Sequence, residues 1–236
     1  MTLENVLRAP PAARIEGVLE RMLAIEAALP PEDGIACFTR LYRAVTEAVH
    51  ETAANSFADA GFVRWLDVAF ANLYLRALAA FVLGRGRVPH AWAPLFHARS
   101  RPGIAPLQFA LAGMNAHINR DLPVALVQTC TAREVEPRHG SPQHADFGRV
   151  DRLLEETEAR VKHEYAVGLV GVADEVLGRL DDVVAMWKVS EARQAAWVHA
   201  ETLWHVRGLP FAGARHLAIL DRTVGFAGRG LLVRVR

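Results

Sequence analysis

An apolar segment from Leu107 to Val127 carries polar side chains that a hydrophobic core ordinarily excludes. A buried polar group without a hydrogen-bond partner costs roughly 1–3 kcal/mol, so these groups must find partners inside the fold. The segment therefore predicts a central buried helix, about residues 106–122, with a polar network built around it. The polar residues are Asn115, His117, Asn119 and Asp121.

The remainder of the chain shows the three- and four-residue spacing of apolar side chains that is typical of amphipathic helices. Asp59 and Asp146 are placed to cap helices, Pro106 can open the central helix, and Pro123 is expected to kink or end it. We therefore predict an all-α protein, a single domain over residues 1–236, with about seven or eight helices. The expected helical segments are 15–29, 35–54, 59–83, 106–122, 146–165, 172–186, 190–206 and 212–226.

Composition and charge narrow the classes of partner. Hydrophobic residues make up 52% of the chain and the net charge is +1, with no basic stripe that would suggest nucleic acid. The three arginines within 229–236 are too few to predict a basic patch. Apolar runs are interrupted by charged residues and the N-terminus lacks the apolar core of a signal peptide, so we expect neither a transmembrane helix nor a membrane partner. Two isolated cysteines fit a reducing cytoplasm, and a chain this apolar is compatible with a homodimer.

His117 and Asp121 lie four residues apart and so share one face of the predicted helix. We therefore expect both side chains to be largely buried and within hydrogen-bonding reach of each other or of one shared partner. Three interpretations are open. An imidazole and a carboxylate one turn apart are common ligands of zinc or iron, and His144 with Asp146 could complete such a divalent-metal site. Alternatively, Asp121 orients and charges the imidazole for metal-free acid–base chemistry. In the third interpretation the two groups bond to each other or to the backbone and only specify the core.

The central helix also carries small residues on the face of His117 and a second polar pair on nearly the opposite side. Ala110 and Gly113 precede His117 on its face, where they leave room for a ligand or for the close approach of another helix. Asn115 and Asn119 form a second pair four residues apart on nearly the opposite side. We expect their amides to be buried and bonded to neighbouring helices.

Polar residues elsewhere could complete a site. Asp67 interrupts an otherwise apolar helix, and His144 and Asp146 stand at a boundary between a loop and a helix. Because a single His–Asp pair needs further ligands or acid–base partners, we expect Asp67 or the pair His144 and Asp146 to approach His117. In the C-terminal half, Arg193 and Glu201 fall on one helical stripe and are expected to pair, either as a structural clamp or as the polar wall of a pocket.

The segment 111–123 resembles a motif of an uncharacterised family of bacterial helical proteins that is frequent in actinobacteria. The residues 57–59, 66–70, 88–92 and 146–147 support this resemblance, which carries no activity to transfer. Residues 116–123 are also similar to zinc-dependent phospholipases C and single-strand nucleases, which place His and Asp one turn apart on a helix. The chain lacks the N-terminal tryptophan ligand and the secretion signal typical of that group.

Acid–base groups in an apolar surround are typical of the pockets of small-molecule enzymes. We therefore expect a small-molecule enzyme of hydrolytic or lyase/cyclase type, with or without a divalent zinc or iron ion. The alternative is a non-catalytic ligand-binding or structural protein in which the Asn/His/Asp cluster satisfies itself. The candidate catalytic residues are His117, Asp121, Asn115, Asn119 and Asp67. The candidate metal ligands are His117, Asp121, His144 and Asp146.

Overall fold

Helices form every regular element in the residues that the structure, a computed structural model, describes: 2–52, 57–151, 154 and 188–234. The all-α prediction is confirmed. The helix expected at 172–186 and most of the helix expected at 146–165 lie outside the described residues. The helices are α1 (Leu3–Leu7), α2 (Ile15–Ala27), α3 (Gly34–Thr52), α4 (Ala60–Leu83), α5 (Ala93–Ala98), α6 (Pro106–Ala116), a π-helical turn (His117–Asp121), α7 (Leu122–Ala132), α8 (described over 142–151), α9 (Val189–Val206) and α10 (Ala212–Leu231).

Local signals at three helix ends act as the sequence predicts. The Asp59 carboxylate accepts a hydrogen bond from the backbone N–H of Phe62 at 2.9 Å and so caps α4. Gly84 ends that helix in the left-handed conformation, with φ at 62°. Pro106 occupies the first position of α6, where its missing N–H costs no helical hydrogen bond.

The capping role predicted for Asp146 is wrong. Helix α8 is already formed at residue 142, and the Ser141 hydroxyl accepts a hydrogen bond from the backbone N–H of His144 at 3.1 Å. Asp146 is therefore inside the helix, and Ser141 caps it. The error arose because serine and aspartate both favour this position and lie only five residues apart.

The central helix continues past Pro123 instead of ending there. Helices α6 and α7 are joined without a break by the π-helical turn, in which the Leu122 N–H bonds to the His117 carbonyl five residues back. A proline ring in a regular α-helix clashes with the carbonyl four residues earlier, here that of Asn119, and has no N–H to offer it. Widening the turn by one residue removes this conflict, and such turns are frequent at functional sites.

The continuous segment from α6 to α7 lies at the centre of the fold, as predicted. Helices α3 and α10 pack against α6, α4 and α9 pack against α7, and α4, α9 and α10 also pack against the π-helical turn. One cluster of buried apolar side chains extends from Val6 in α1 to Leu232 after α10. The backbone before α5 approaches α10 closely at a glycine: a Cβ on Gly225 would come within 2.8 Å of the carbonyl carbon of His90.

Among the described residues, α4 has the length and composition of a membrane-spanning helix. Its most apolar 18-residue window has a mean hydropathy of 1.6, and half of that window is buried inside the structure. The expectation of no transmembrane helix depended on charged residues that interrupt the apolar runs, but the charged residues of α4 do not exclude a membrane span by composition. The feature is weak evidence for a span, because the core helix of a globular protein has the same composition and α4 packs against α1, α2 and α7.

Candidate functional site

His117 and Asp121 form a buried, hydrogen-bonded pair. Their side chains are 3% and 0% exposed, and the Nδ1 atom of His117 lies 3.2 Å from Oδ2 of Asp121. The prediction that both are buried and within hydrogen-bonding reach is confirmed. Because an ionised carboxylate can only accept, the proton of a neutral imidazole is assigned to Nδ1, and Nε2 carries the lone pair.

Two further donors hold the carboxylate of Asp121 in place. The indole Nε1 of Trp92 donates to Oδ2 at 2.8 Å, and a guanidinium nitrogen of Arg120 donates to Oδ1 at 2.6 Å. The Nε atom of Arg120 lies 3.7 Å from Asp221, whose carboxylate accepts hydrogen bonds from the backbone N–H groups of His90 and Ala91. Oδ1 of Asp121 therefore forms an ion pair with Arg120, and Oδ2 accepts hydrogen bonds from both the Trp92 indole and the His117 imidazole.

Aromatic rings enclose the imidazole. The Phe70 ring stacks on it with centroids 3.5 Å apart and an interplanar angle of 4°, and the Tyr42 ring meets it edge-on at 4.5 Å. Burial lowers the pKa of His117, while the hydrogen bond with Asp121 opposes that change. The imidazole is consequently neutral at pH 7, and its buried Nε2 has no hydrogen-bond partner among the described residues. The remaining rings around it are Phe38, Tyr74 and Trp92.

His117 forms part of the wall of an apolar cavity of about 110 Å³. One wall is the face of α3 from Phe38 to Val49, and a second is the face of α6 that begins at Leu107. The polar contributions to the wall come from Tyr42, Thr46, Asp67, His117 and Arg193. An engineered cavity of about 150 Å³ with apolar walls binds benzene, so the enclosed space here is on the scale of a small ring or a short aliphatic chain.

Asp67 is the second titratable group of this cavity. It precedes Phe70 by three residues, a rise of about 4.5 Å along α4, and therefore lies one turn from the ring that stacks on His117. Burial in the apolar wall raises the pKa of Asp67 to about 7, and the charge of Arg193 partly offsets this effect. No hydrogen bond or ion pair holds the Asp67 carboxyl group within the described part of the chain. Asp67 and His117 therefore both line this cavity, and a shared functional role for them stays a prediction.

The helical spacing of Arg193 and Glu201 predicts that they pair, but in the structure they do not. The Nε atom of Arg193 donates to Asp151, and its guanidinium also lies 4.1 Å above the ring of Phe147. Glu201 instead accepts hydrogen bonds from the indole of Trp197 at 3.1 Å and from a backbone N–H at 2.6 Å. The pattern on α9 was ambiguous, because Asp151 approaches from another helix.

Asn115 and Asn119 face α10, away from the cavity. The Asn115 amide, 4% exposed, donates to the Val224 carbonyl at 3.0 Å, as expected of this pair. Asn119 is only partly buried and donates to Asn115 at 3.1 Å instead of bonding to another helix. The structure therefore gives this pair a role in attaching α10, and neither asparagine lines the cavity.

His144 and Asp146 do not approach His117 as a ligand pair. Both ring nitrogens of His144 are engaged, one with the Gly140 N–H and the other with Gln194. The buried Asp146 carboxylate accepts hydrogen bonds from the N–H groups of Ala58 and Asp59, at 3.0 and 2.6 Å. Across the described residues, no three His, Cys, Asp or Glu side chains are grouped so that they could hold a metal ion.

The room expected beside Ala110 and Gly113 is filled by α3. Ala110 packs with Leu41, and a Cβ on Gly113 would come within 2.8 Å of the Cβ of Phe38. Of the two uses foreseen for this face, the close approach of another helix is the one observed. The cavity lies instead where Tyr42 and Phe70 surround His117.

Sequence reasoning missed Trp92 and Arg120 as partners of Asp121. Trp92 belongs to one of the stretches that support the family resemblance, but nothing in its spacing links it to a residue 29 positions later. Arg120 adjoins Asp121 in sequence, where a regular helix would turn the two side chains about 100° apart.

Comparison with known proteins places the chain in a family without an assigned activity. Residues 15–234 match the Family of unknown function (DUF5995), and the chain belongs to that family. No curated protein and no solved structure matches it.

Proposed function

We propose that this member of the family is a small-molecule enzyme that uses metal-free acid–base catalysis on a mainly apolar substrate. In this proposal His117 is the general base, Asp67 is the general acid, and Asp121 positions the imidazole. The observation that carries the proposal is that Nε2 of His117 has no hydrogen-bond partner among the described residues, in a ring that forms part of the cavity wall. A histidine that only specified the core would normally have both nitrogens satisfied.

The environment tunes the two groups for opposite roles. Burial keeps the imidazole neutral, so that Nε2 can accept a proton at pH 7. Burial also raises the pKa of Asp67 to about 7, so that an appreciable share of this carboxyl group retains its proton. Titratable groups whose environments favour different protonation states are the usual arrangement for paired acid–base catalysis.

Each residue then has a defined step. Nε2 of His117 removes a proton from a substrate carbon or from a water molecule, and Asp121 stabilises the resulting imidazolium through Nδ1. Protonated Asp67 donates a hydrogen bond or its proton to the oxygen that gains negative charge. The aromatic rings exclude water, which strengthens these interactions. This set of steps serves ester hydrolysis and proton abstraction beside a carbonyl, the latter being a component of lyase and cyclase reactions.

A zinc or iron ion finds little support in the donor set. Both oxygens of Asp121 are already bonded to Trp92, His117 and Arg120, so binding a metal there would break these contacts. The similarity of residues 116–123 to zinc-dependent phospholipases C stays a prediction, as do a cytoplasmic location and a homodimer. No step of the proposed reaction depends on any of them.

Two small probes test the proposal. Phenyl acetate reports hydrolysis by release of phenol, and cyclohexanone in deuterated water reports proton abstraction by exchange of its α-hydrogens. We expect the protein to accelerate at least one reaction, and we expect His117→Phe and Asp67→Asn each to reduce that rate by 10²–10⁴-fold, the range of general acid–base catalysis. Exposed His205 provides the matched control: His205→Phe should leave the rate unchanged.

Absence of acceleration with both probes would contradict the proposal if cyclohexanone and phenol nevertheless bind. Binding without turnover that is weakened by His117→Phe would instead favour the non-catalytic ligand-binding alternative. An acceleration that both cavity variants retain and His205→Phe removes would assign the activity to surface imidazole.

The rate should depend on pH in a bell-shaped manner. The base must be unprotonated, so the rate rises with pH through the lowered pKa of His117, below 6.5. The acid must be protonated, so the rate falls as pH increases through the pKa of Asp67, about 7. We expect a maximum below pH 7 in a plot of kcat/KM against pH. In the Asp67→Asn variant, the residual kcat/KM should still rise with pH on the acidic side but should no longer fall on the alkaline side. An unchanged fall of kcat/KM at alkaline pH would contradict the role of Asp67.

A further inference from the structure

One exposed stripe of α10 alternates arginine with large apolar side chains. From Arg215 to Arg229, the spacing of four, three, four and three residues keeps the helical members within one quarter of the helix circumference. The stripe is Phe211, Arg215, Ile219, Arg222, Phe226, Arg229 and Val233, of which Phe211 precedes the helix and Val233 follows its end. Each of these residues is exposed, and the helical part of the stripe extends over about 21 Å.

The apolar members are not residual core. Phe211 is 88% exposed and Phe226 is 73% exposed, whereas the buried face of α10 is formed by Asp221, Val224, Gly225 and Gly228. Phe211 also has φ at 63°, in the left-handed region that a bulky side chain rarely adopts. The chain thus accepts backbone strain at the residue that presents the most exposed ring. Leu209, two residues earlier and 58% exposed, extends this apolar tip.

The charged members are uncompensated. From Arg207 to Arg236 the sequence contains six arginines and a single acidic residue, Asp221, in a protein whose net charge is only +1. Asp221 is 6% exposed and is occupied by two backbone N–H groups. Within the described residues, no carboxylate pairs with Arg215, Arg222 or Arg229. The other exposed residues on this side of α10 are small and neutral: Ala214, Thr223, Ala227 and Gly230.

We propose that this Arg–apolar stripe binds the surface of a bilayer that contains anionic lipids. Such a surface offers phosphates to arginine and, a few ångströms deeper, hydrocarbon to phenylalanine and isoleucine along the whole length of a helix. The sequence composition led us to expect no membrane partner, because the charge of the whole chain conceals the charge of one helix face. The proposal does not depend on the enzymatic role of His117.

Other partners match the stripe less well. A second copy of the chain, packed through the same face, would set arginines against arginines with no carboxylate between them. A nucleic acid would satisfy the arginines, but its phosphates would leave Ile219 and Phe226 without an apolar contact. A bilayer needs no matched sequence to satisfy both kinds of side chain at once.

Flotation of the full-length protein with lipid vesicles tests the proposal. We expect binding to vesicles of phosphatidylcholine mixed with phosphatidylglycerol, weak or no binding to phosphatidylcholine alone, and weaker binding as salt is raised. Replacing Arg215, Arg222 and Arg229 together by Gln should weaken the partition constant roughly a hundredfold, since each cation near an anionic surface contributes about fivefold.

Matched controls separate the stripe from general charge and hydrophobicity. Arg8, Arg14 and Arg64 are exposed elsewhere, so replacing these three by Gln removes the same charge and should leave binding within about twofold. Phe226→Ser should weaken binding at least tenfold, roughly the loss expected when a largely exposed ring no longer enters the bilayer, whereas Leu23→Ser, at an exposed leucine on α2, should not. Circular dichroism verifies that each variant is folded.

Three results would overturn the proposal. The first is recovery of the protein without the vesicles at low salt. The second is equal loss of binding in both triple arginine variants. The third is binding of duplex DNA, or dimerisation, that requires the stripe while vesicle binding is absent.

Discussion

Asp121→Asn is expected to lower the free energy of unfolding by about 3 kcal/mol and to reduce turnover by two to four orders of magnitude. The stability loss follows from the arrangement around Asp121: the neutral amide leaves the charge of Arg120, only 16% exposed, without its partner at 2.6 Å. One amide NH₂ must also face a group that is itself a donor, the Arg120 guanidinium, the Trp92 indole or the His117 imidazole. Removing one member of a buried ion pair typically costs about 3–5 kcal/mol, and the proximity of Asp221 to Arg120 places this case at the lower end.

The loss of turnover has a separate cause. An asparagine at 121 can donate to Nδ1 of His117, which would move the imidazole proton to Nε2 and remove the lone pair that the proposed base requires. The nitrogen chemical shifts of His117 in an NMR spectrum distinguish the two tautomers directly. A purely structural role for the pair predicts the stability loss but no dependence of any rate on the tautomer.

Urea unfolding and NMR together decide the outcome. Glu47→Gln is the matched control, because it neutralises a carboxylate that pairs with an arginine at the surface, where such pairs contribute about 0–1 kcal/mol. An Asp121→Asn variant as stable as the wild type would show that the network around Asp121 is not a buried ion pair. A folded variant with the Nδ1 proton retained and with full turnover would contradict the positioning role.

Gly113→Ala is expected to destabilise the protein by about 1–3 kcal/mol, although alanine favours helices by about 1 kcal/mol over glycine. The added methyl group would overlap the Phe38 ring and lie 2.8 Å from its Cβ, an atom that no side-chain rotation can move away. Phe38 is at the centre of the aromatic enclosure, 5.9 Å from the ring of His117 and 5.2 Å from that of Trp92. The displacement should therefore also disturb the cavity.

A double variant tests the cause. If the overlap with Phe38 is responsible, Gly113→Ala combined with Phe38→Leu should be at least 1 kcal/mol more stable than the sum of the single effects predicts. Gly148→Ala is the control for the substitution itself, because a Cβ there meets nothing within 4 Å and the helix should gain up to about 1 kcal/mol. Additive effects of the two substitutions would show that α3 and α6 separate easily, contrary to the packing described above.

The helices and the central pair were predictable because their signals are local. Asp59, Gly84 and Pro106 act at helix ends through their own side chains and backbone, and the spacing of His117 and Asp121 is that of adjacent turns. Burial of the pair followed from its apolar neighbours in sequence. Each of these properties depends on residues within about one helical turn, so one chain sufficed to foresee them.

The partners of the pair and the cavity could not be predicted, because they depend on contacts between distant segments. Trp92 meets Asp121 through the packing of the segment before α5, and Phe38 fills the space beside Gly113 because α3 crosses α6 there. The carboxylate of Asp146 likewise accepts hydrogen bonds from two backbone N–H groups 87 and 88 residues earlier, which its place in the sequence does not reveal. Periodicity shows which face of a helix is buried and leaves open what covers it.

The π-helical turn also makes the central helix sensitive to length. One residue more than a regular turn rotates everything before it by about 100° relative to everything after it. Deletion of any single residue between His117 and Asp121 would restore a regular α-helix. Helix α6 would then be rotated about its own axis relative to α7. Asn115 would then leave the Val224 carbonyl and a side chain would replace Gly113 opposite Phe38. Independently of which side chains it carries, this segment should accept no change in residue number, so that gaps in this part of the chain are selected against.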